Sequence, residues 1–192
     1  KPPGTSGGAG ATPDDPRERL AALRLILVEG VGPRTRRALL ARFGSSSAVL
    51  AAGIGELLGV EGIGTKLARR IDAARRDIPV EEELEICRQH RIQVVLEADV
   101  GYPPRLREIP DPPGALFILG AVEPADALAV AIVGTRHATQ YGLQQAERLG
   151  SGLARAGFTV VSGLARGIDA AAHRGAMDAG GRTIAVLGCG IL

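Results

Sequence analysis

The chain has 192 residues, 45% of them apolar, and 23 Lys or Arg offset 21 Asp or Glu to leave a formal net charge of +2. That is enough for one or two domains with a buried core, while the longest apolar stretches, such as 127–133, fall far short of the ~18 to 20 residues of a spanning helix. With no secretory signal at its start, the sequence predicts a cytoplasmic protein with no membrane partner.

Two cysteines, Cys87 and Cys189, lie far apart, outside any Cys-x-x-Cys spacing and with only three histidines in the chain. This argues against a disulfide framework and a zinc site, and both thiols are expected to be buried. The basic residues are almost all arginine, the better bidentate phosphate ligand, and they are unevenly spread. Residues 17–80 hold 12 Arg or Lys against 6 Asp or Glu, whereas 81–192 hold 10 against 13. The first region therefore carries long-range attraction for a polyanion, and any anion site in the second must be local.

In chain order, residues 1–15 are rich in Pro, Gly, Ser and Thr and are expected to form a disordered tail. Residues 16–28 carry Leu20, Leu23, Leu27 and Val28 at helical spacing. Two short helices around 36–43 and 66–76 follow, each entered through a glycine-rich turn, and then a helix over 79–90 whose Glu81, Glu82 and Glu83 suit the positive end of its dipole. Residues 92–96 and 116–119 read as short strands, separated by a proline-rich stretch over 101–113 that cannot be regular for long. The last third alternates apolar strands at 128–133, 158–161 and 183–187 with helices at 141–156 and 169–178. This pattern predicts right-handed βαβ units and a parallel sheet covered on both faces. Because the sequence stops just after the third of these strands, the chain reads as a fragment of something longer.

At an offset of 32 residues, Val28-Glu29-Gly30-Val31-Gly32 matches Val60-Glu61-Gly62-Ile63-Gly64, and a basic helix follows each copy. Gly-apolar-Gly between two helices is a helix–hairpin–helix, in which glycine permits positive φ and lets a phosphate approach exposed amides at a helix start. The first copy would place a phosphate near Gly30, Gly32 and Arg34, with Arg36 and Arg37 beside it, and the second near Gly62, Gly64 and Lys66, with Arg69 and Arg70. Glu29 and Glu61 would repel it unless they point away. Two copies in register favour DNA binding, or descent from a DNA-binding ancestor, over simple tight turns, although such repeats also serve as protein-contact modules.

The loops leaving the three parallel strands read Gly134-Thr135-Arg136-His137, Ser162-Gly163-Leu164-Ala165-Arg166-Gly167-Ile168-Asp169 and Gly188-Cys189-Gly190. Open α/β sheets bind ligands at these strand ends. Adjacent strands would bring Arg136 and Arg166 to one rim backed by helix N-termini, a phosphate pocket. His137 either contacts the nucleic acid or lines the rim. The spacing fits neither a dinucleotide loop nor a Walker loop, so no cofactor is predicted. Asp169 and His173, four apart on one helix, could be an acid–base pair, but a helix cap with a histidine bonded to it one turn on is the simpler expectation.

The runs Ala131-Ile132-Val133-Gly134-Thr135-Arg136, Tyr141-Gly142, Val161 through His173 and Thr183 through Gly190, with Tyr102-Pro103 and Asp111-Pro112-Pro113 before them, resemble the DNA-processing protein A family (DprA, also called Smf) over about residues 17–192. The resemblance implies an α/β protein in which an all-helical helix–hairpin–helix, sterile-alpha-motif-like domain (16–79) precedes an extended Rossmann-like parallel-sheet domain (80–192), truncated at its C-terminus. It implies a non-enzymatic recombination mediator of natural transformation that binds and protects incoming single-stranded DNA, helps load RecA, and forms a homodimer in the full-length protein. It also implies that Gly134, Thr135 and Arg136 form the phosphate pocket, with Arg166 where relatives often carry a lysine; Gly163 and His137 are placed beside them by the loops themselves. Two alternatives stay open: a nucleotide phosphoribohydrolase-like enzyme on a Rossmann-type domain, whose signature loop is absent from these residues, and a protein-interaction adaptor.

Overall fold

The computed structural model describes residues 15–192, so the tail expected over 1–15 lies, apart from Asp15, outside the described residues. These fold as two compact units, one ending at Gly120 and one over Ala121–Leu192. The boundary expected at 79/80 lies inside the first.

The first unit opens with α1 (Pro16–Ile26), whose start Asp15 caps by accepting from the Arg17 amide at 2.9 Å. Then come α2 (Pro33–Phe43), the short α3 (Ser46–Ala51) and α4 (Ile54–Leu58), and α5 (Thr65–Asp77). The sequence pattern missed α3 and α4 because one or two turns carry too few apolar positions to show a period. What fixes α3 is a cap from outside: Glu18 of α1 accepts from the Ser47 amide at 3.1 Å and from the Ser46 amide, and Ser45 accepts from the Ala48 amide. Leu25, Leu39, Val49, Leu57 and Ile71 meet in one fully buried cluster.

Continuing past the expected boundary, α6 (Val80–Gln89) leads into β1 (Ile92–Leu96), which pairs antiparallel with β2 (Ala115–Leu119) from Ile92↔Leu119 to Leu96↔Ala115. Alternate residues of the ladder face one side, and there Val94, Leu96, Ala115 and Phe117 pack with Leu23 and Val80. The first helix thus serves two cores, through Leu25 on one side and Leu23 on the other. That sharing, with the Arg24–Glu81 ion pair at 2.7 Å, explains why α6, β1 and β2 belong to the first unit. The proline-rich segment holds a single helical turn, α7 (Pro104–Arg107). It is anchored by Tyr102, fully buried and donating its hydroxyl to the Pro113 carbonyl at 2.8 Å.

In the second unit a 3-10 turn (Pro124–Ala127) precedes β3 (Ala129–Ala131), α8 (Gln140–Arg155), β4 (Thr159–Ser162), α9 (Ile168–Asp178) and β5 (Thr183–Ala185). The strands are parallel in the order β3-β4-β5, as the alternation predicted. Since the order does not reverse, both right-handed crossovers run the same way and α8 and α9 share a face. The expected cover on both faces is therefore not present among the described residues.

The two helices approach closely because glycine faces backbone. A Cβ at Gly150 would strike the Ala172 carbonyl, and one at Gly175 the Glu147 carbonyl. Ala172 and Ala176 of α9 and Val160 of β4 are fully buried there. Arg182 ties the entry segment to the sheet, bonding Asp126 at 2.6 Å and Glu123 at 3.1 Å, while Thr159 donates to Asp126 at 2.9 Å. The Arg182 guanidinium holds the Asp126 carboxyl down at about 2. No helix among the described residues is long and apolar enough to cross a membrane.

Candidate nucleic-acid interface

The loops after β3 and β4 are joined through one side chain. Asp169, 6% exposed, accepts the Gly134 amide at 3.3 Å through Oδ1 and the Gly163 amide at 3.2 Å through Oδ2. The expectation that Asp169 caps its own helix is corrected: Gly167 occupies that position, and Asp169 is the second residue of α9. There the helix dipole still favours its charge, but the carboxylate reaches across to neighbouring strand ends. Gly134 and Gly163 consequently spend their amides on Asp169, and their contribution to a ligand is limited to shape. A side chain at Gly134 would meet Ile168 Cγ1 at 2.6 Å, and one at Gly167 would strike the Thr135 carbonyl. Both glycines are required for the loops to nest.

His173 does not bond Asp169, which corrects the second expectation for this pair. The Thr183 hydroxyl donates to the Val160 carbonyl at 2.7 Å, so its proton is spent and His173 Nδ1–H must donate to Thr183 Oγ1, 2.6 Å away. Nε2 is buried without a partner among the described residues, and burial lowers the imidazole pKa against the opposing pull of Asp169. Neither member is free to act as half of an acid–base pair with the other.

At the rim, Arg136, His137 and Arg166 are exposed. Neither arginine forms an ion pair among the described residues. Thr135 accepts the His137 amide at 3.1 Å, which tightens the turn that carries Arg136. The Arg166 loop is held in an uncommon backbone: Leu164, 57% exposed, has φ 58°, and Gly167 has φ 90°. A branched apolar residue in the left-handed region is strained by about 1 kcal/mol or more. The third loop leaves Cys189 exposed, which corrects the expectation of a buried thiol there, whereas Cys87 is buried. Its three small residues, Gly188-Cys189-Gly190, bury nothing.

In the first unit the two hairpins superimpose in their local rules. Gly30 and Gly62 have φ 97° and 83°, and Val28, Val31, Val60 and Ile63 are buried. Gly32 and Gly64 start α2 and α5 in extended backbone with no side-chain cap. Their surroundings differ. Arg34 bonds Asp111 at 3.2 Å, Arg36 pairs with Glu97, and Arg37 donates to the Pro110 carbonyl at 3.2 Å. Leu67 and Arg70 lie over Gly30, with Leu67 Cδ1 3.3 Å from where a Cβ would stand, and Arg70 takes Glu29 at 2.9 Å. Around the second hairpin, Gly62 and Gly64 face open space, and Lys66 and Arg69 are exposed without an ion-pair partner among the described residues.

Residues 93–192 match the family model described as DNA recombination-mediator protein A. The chain belongs to that family. Residues 22–77 match the SAM-like helix-hairpin-helix tandem, in keeping with the two hairpins of this family member. Among relatives, Protein Smf of Synechocystis is 38% identical over 168 residues, covering 85% of this chain and 42% of its own. DNA processing protein DprA of Streptococcus pneumoniae is 43% identical over 90 residues, covering 47% of this chain and 32% of its own. The X-ray structure of DNA processing protein A from the same species aligns with a TM-score of 0.66 at 27% identity, over 89% of this chain and 58% of that one. The chain thus spans less than half the length of these two relatives.

The local bridge made by Asp169 had a signal in sequence, namely an acid two residues past Gly167. The pairing of the first hairpin's arginines had none, because Glu97 and Asp111 lie 61 and 77 residues from the arginines they occupy.

Proposed function

We propose that this chain binds single-stranded DNA through its phosphates at the carboxyl ends of β3 and β4, as part of a recombination mediator. The observation that carries this reading is the pair of exposed, unpaired arginines, Arg136 and Arg166, on loops locked together by Asp169. By contrast, Arg182 is spent on Asp126, where it ties the entry segment to the sheet. Thr135 and His137 flank the phosphate, and Gly134 and Gly163 shape its seat. Gly62, Gly64 and Lys66 of the second hairpin are the secondary contact, while in the first Arg34 is held by Asp111 and Leu67 lies beside Gly30, with Gly32 left open.

Membership of the recombination-mediator family supports a role in DNA processing during transformation, in which the chain protects an incoming strand, helps load RecA, and acts in a homodimer when the whole protein is present. The protein works without covalent chemistry, in the cytoplasm and with no cofactor. In support, Asp169 and His173 are tied to separate partners.

The test is fluorescence anisotropy with labelled single- and double-stranded oligonucleotides across a salt series. Binding is expected to prefer single strands, to ignore base sequence, and to weaken with a log–log slope of roughly −0.7 per phosphate contacted. Salt-independent binding, or none, overturns the proposal, and release of free base from a nucleotide favours the enzyme instead.

A further inference from the structure

The helix α8 begins four residues after Arg136, capped by Thr139, which accepts the Gly142 amide at 3.1 Å. Its inner face is fixed against α9 by the close contacts at Gly150 and Glu147. Its outer face is unlike an ordinary solvated one. At 3.6 residues per turn, Tyr141, Gln144, Arg148, Ser151, Gly152 and Arg155 fall within an arc of about 100°. Tyr141 is 70% exposed, a high value for an aromatic ring, and Arg148 and Arg155 are exposed with no ion pair among the described residues. A shallow depression of about 540 Å³ runs along the stripe between Gln144 and Arg155. Gly152 leaves its floor open, with nothing within 4 Å of a Cβ placed there. The only acid on its border is Glu147.

We propose that this stripe is a track along which a single strand continues from the Arg136 loop. This rests on the reading above. The chemistry fits a nucleic-acid strand: guanidiniums for successive phosphates, amide and hydroxyl groups for sugars and base edges, and one exposed ring on which a base can stack. It does not fit an apolar protein partner, since the arc holds no large aliphatic side chain. The stripe is ~22 Å long from the helix start to Arg155, so only a strand longer than the strand-end site can reach its far end. Glu147 on the border sets the lateral limit of the path.

The test uses this chain with oligothymidylates of about 3 and about 30 nucleotides, lengths chosen below and above usual single-strand site sizes. For the variant carrying Arg148→Ala and Arg155→Ala, affinity for the long oligomer should fall roughly tenfold and its salt slope should shrink by about 1.4, while the short oligomer binds as before. Tyrosine emission supplies an independent readout. The chain has no tryptophan and two tyrosines, and Tyr102 is fully buried, so quenching on binding reports Tyr141 at the near end of the stripe. Equal losses on both lengths, no loss on the long one, or an absence of quenching overturns the track and leaves the strand-end site standing. Competition by polyglutamate as effective as that by the long oligomer also overturns it, pointing to an acidic protein segment. Failure of the unmodified chain to bind either oligomer overturns the underlying reading instead.

Discussion

The two hairpins share a sequence rule and have opposite fates. Both turn through a glycine at positive φ and open a helix from an uncapped glycine. In the first, Asp111, Glu97 and the Pro110 carbonyl occupy the arginines that follow, and Leu67 and Arg70 approach Gly30, which like Gly32 stays exposed. In the second, Lys66 and Arg69 stay exposed without an ion-pair partner among the described residues. A motif therefore supplies a geometry, and its neighbours decide whether that geometry meets a ligand or the rest of the protein. The same division separates the arginines of the second unit: Arg182 is tied to Asp126, whereas Arg136 and Arg166 are free of carboxylates among the described residues.

The strongest way to break this division is to remove a spent arginine. Arg182→Ala leaves Asp126, whose side chain is 7% exposed, without its cation, and should destabilise the chain by about 3 kcal/mol in chemical denaturation. Its single-strand affinity, measured where the variant is still folded, should be unchanged. The matching pH experiment follows from linkage. Asp126 titrates at about 2 when folded against a usual 3.8, so the stability it supplies is complete above that usual value and is lost as pH falls through it toward about 2. In Arg182→Ala that acid-sensitive part should be largely gone.

Removing a free arginine should do the reverse. Arg136→Ala and Arg166→Ala should each weaken single-strand binding by roughly 1 to 3 kcal/mol, the scale of a charged hydrogen bond, and shift stability by less than about 0.5 kcal/mol. Loss of stability without loss of affinity would place these arginines with Arg182. At the loop that carries Arg166, Leu164→Gly should stabilise the fold by up to about 1 kcal/mol, since glycine adopts the φ of 58° without a Cβ penalty. An affinity that fell at the same time would show the strained backbone to be holding Arg166 in position.

The smallest effect is also the most direct test of the hairpins. Lys66→Ala with Arg69→Ala should cost about 0.5 kcal/mol of DNA affinity at physiological salt and more at low salt, where exposed charges are less screened. Arg34→Ala should leave affinity unchanged and cost about 0.5 kcal/mol of stability, in line with its exposed ion pair. A larger affinity loss at Arg34 than at Lys66 would reverse the assignment of the two hairpins.

The sequence alone determined what depends on neighbours along the chain. The 32-residue repeat, the glycines at positive φ, and the alternation that became β3-α8-β4-α9-β5 are all local, because backbone sterics and side-chain periodicity act over a few residues. The loops bearing Arg136 and Arg166 were legible for the same reason. What only the tertiary structure decided is which of these groups remain available, because ion pairing and burial join residues that sequence keeps apart. Arg36 is occupied by Glu97, 61 positions away, and the Gly134 amide by Asp169, 35 positions away. His173 turned from Asp169 to Thr183 once the sheet put that hydroxyl within reach, and α6 joined the first unit because Val80 found Leu23. A charge or an amide counts toward function only after the fold has taken what it needs, and that balance is struck in three dimensions.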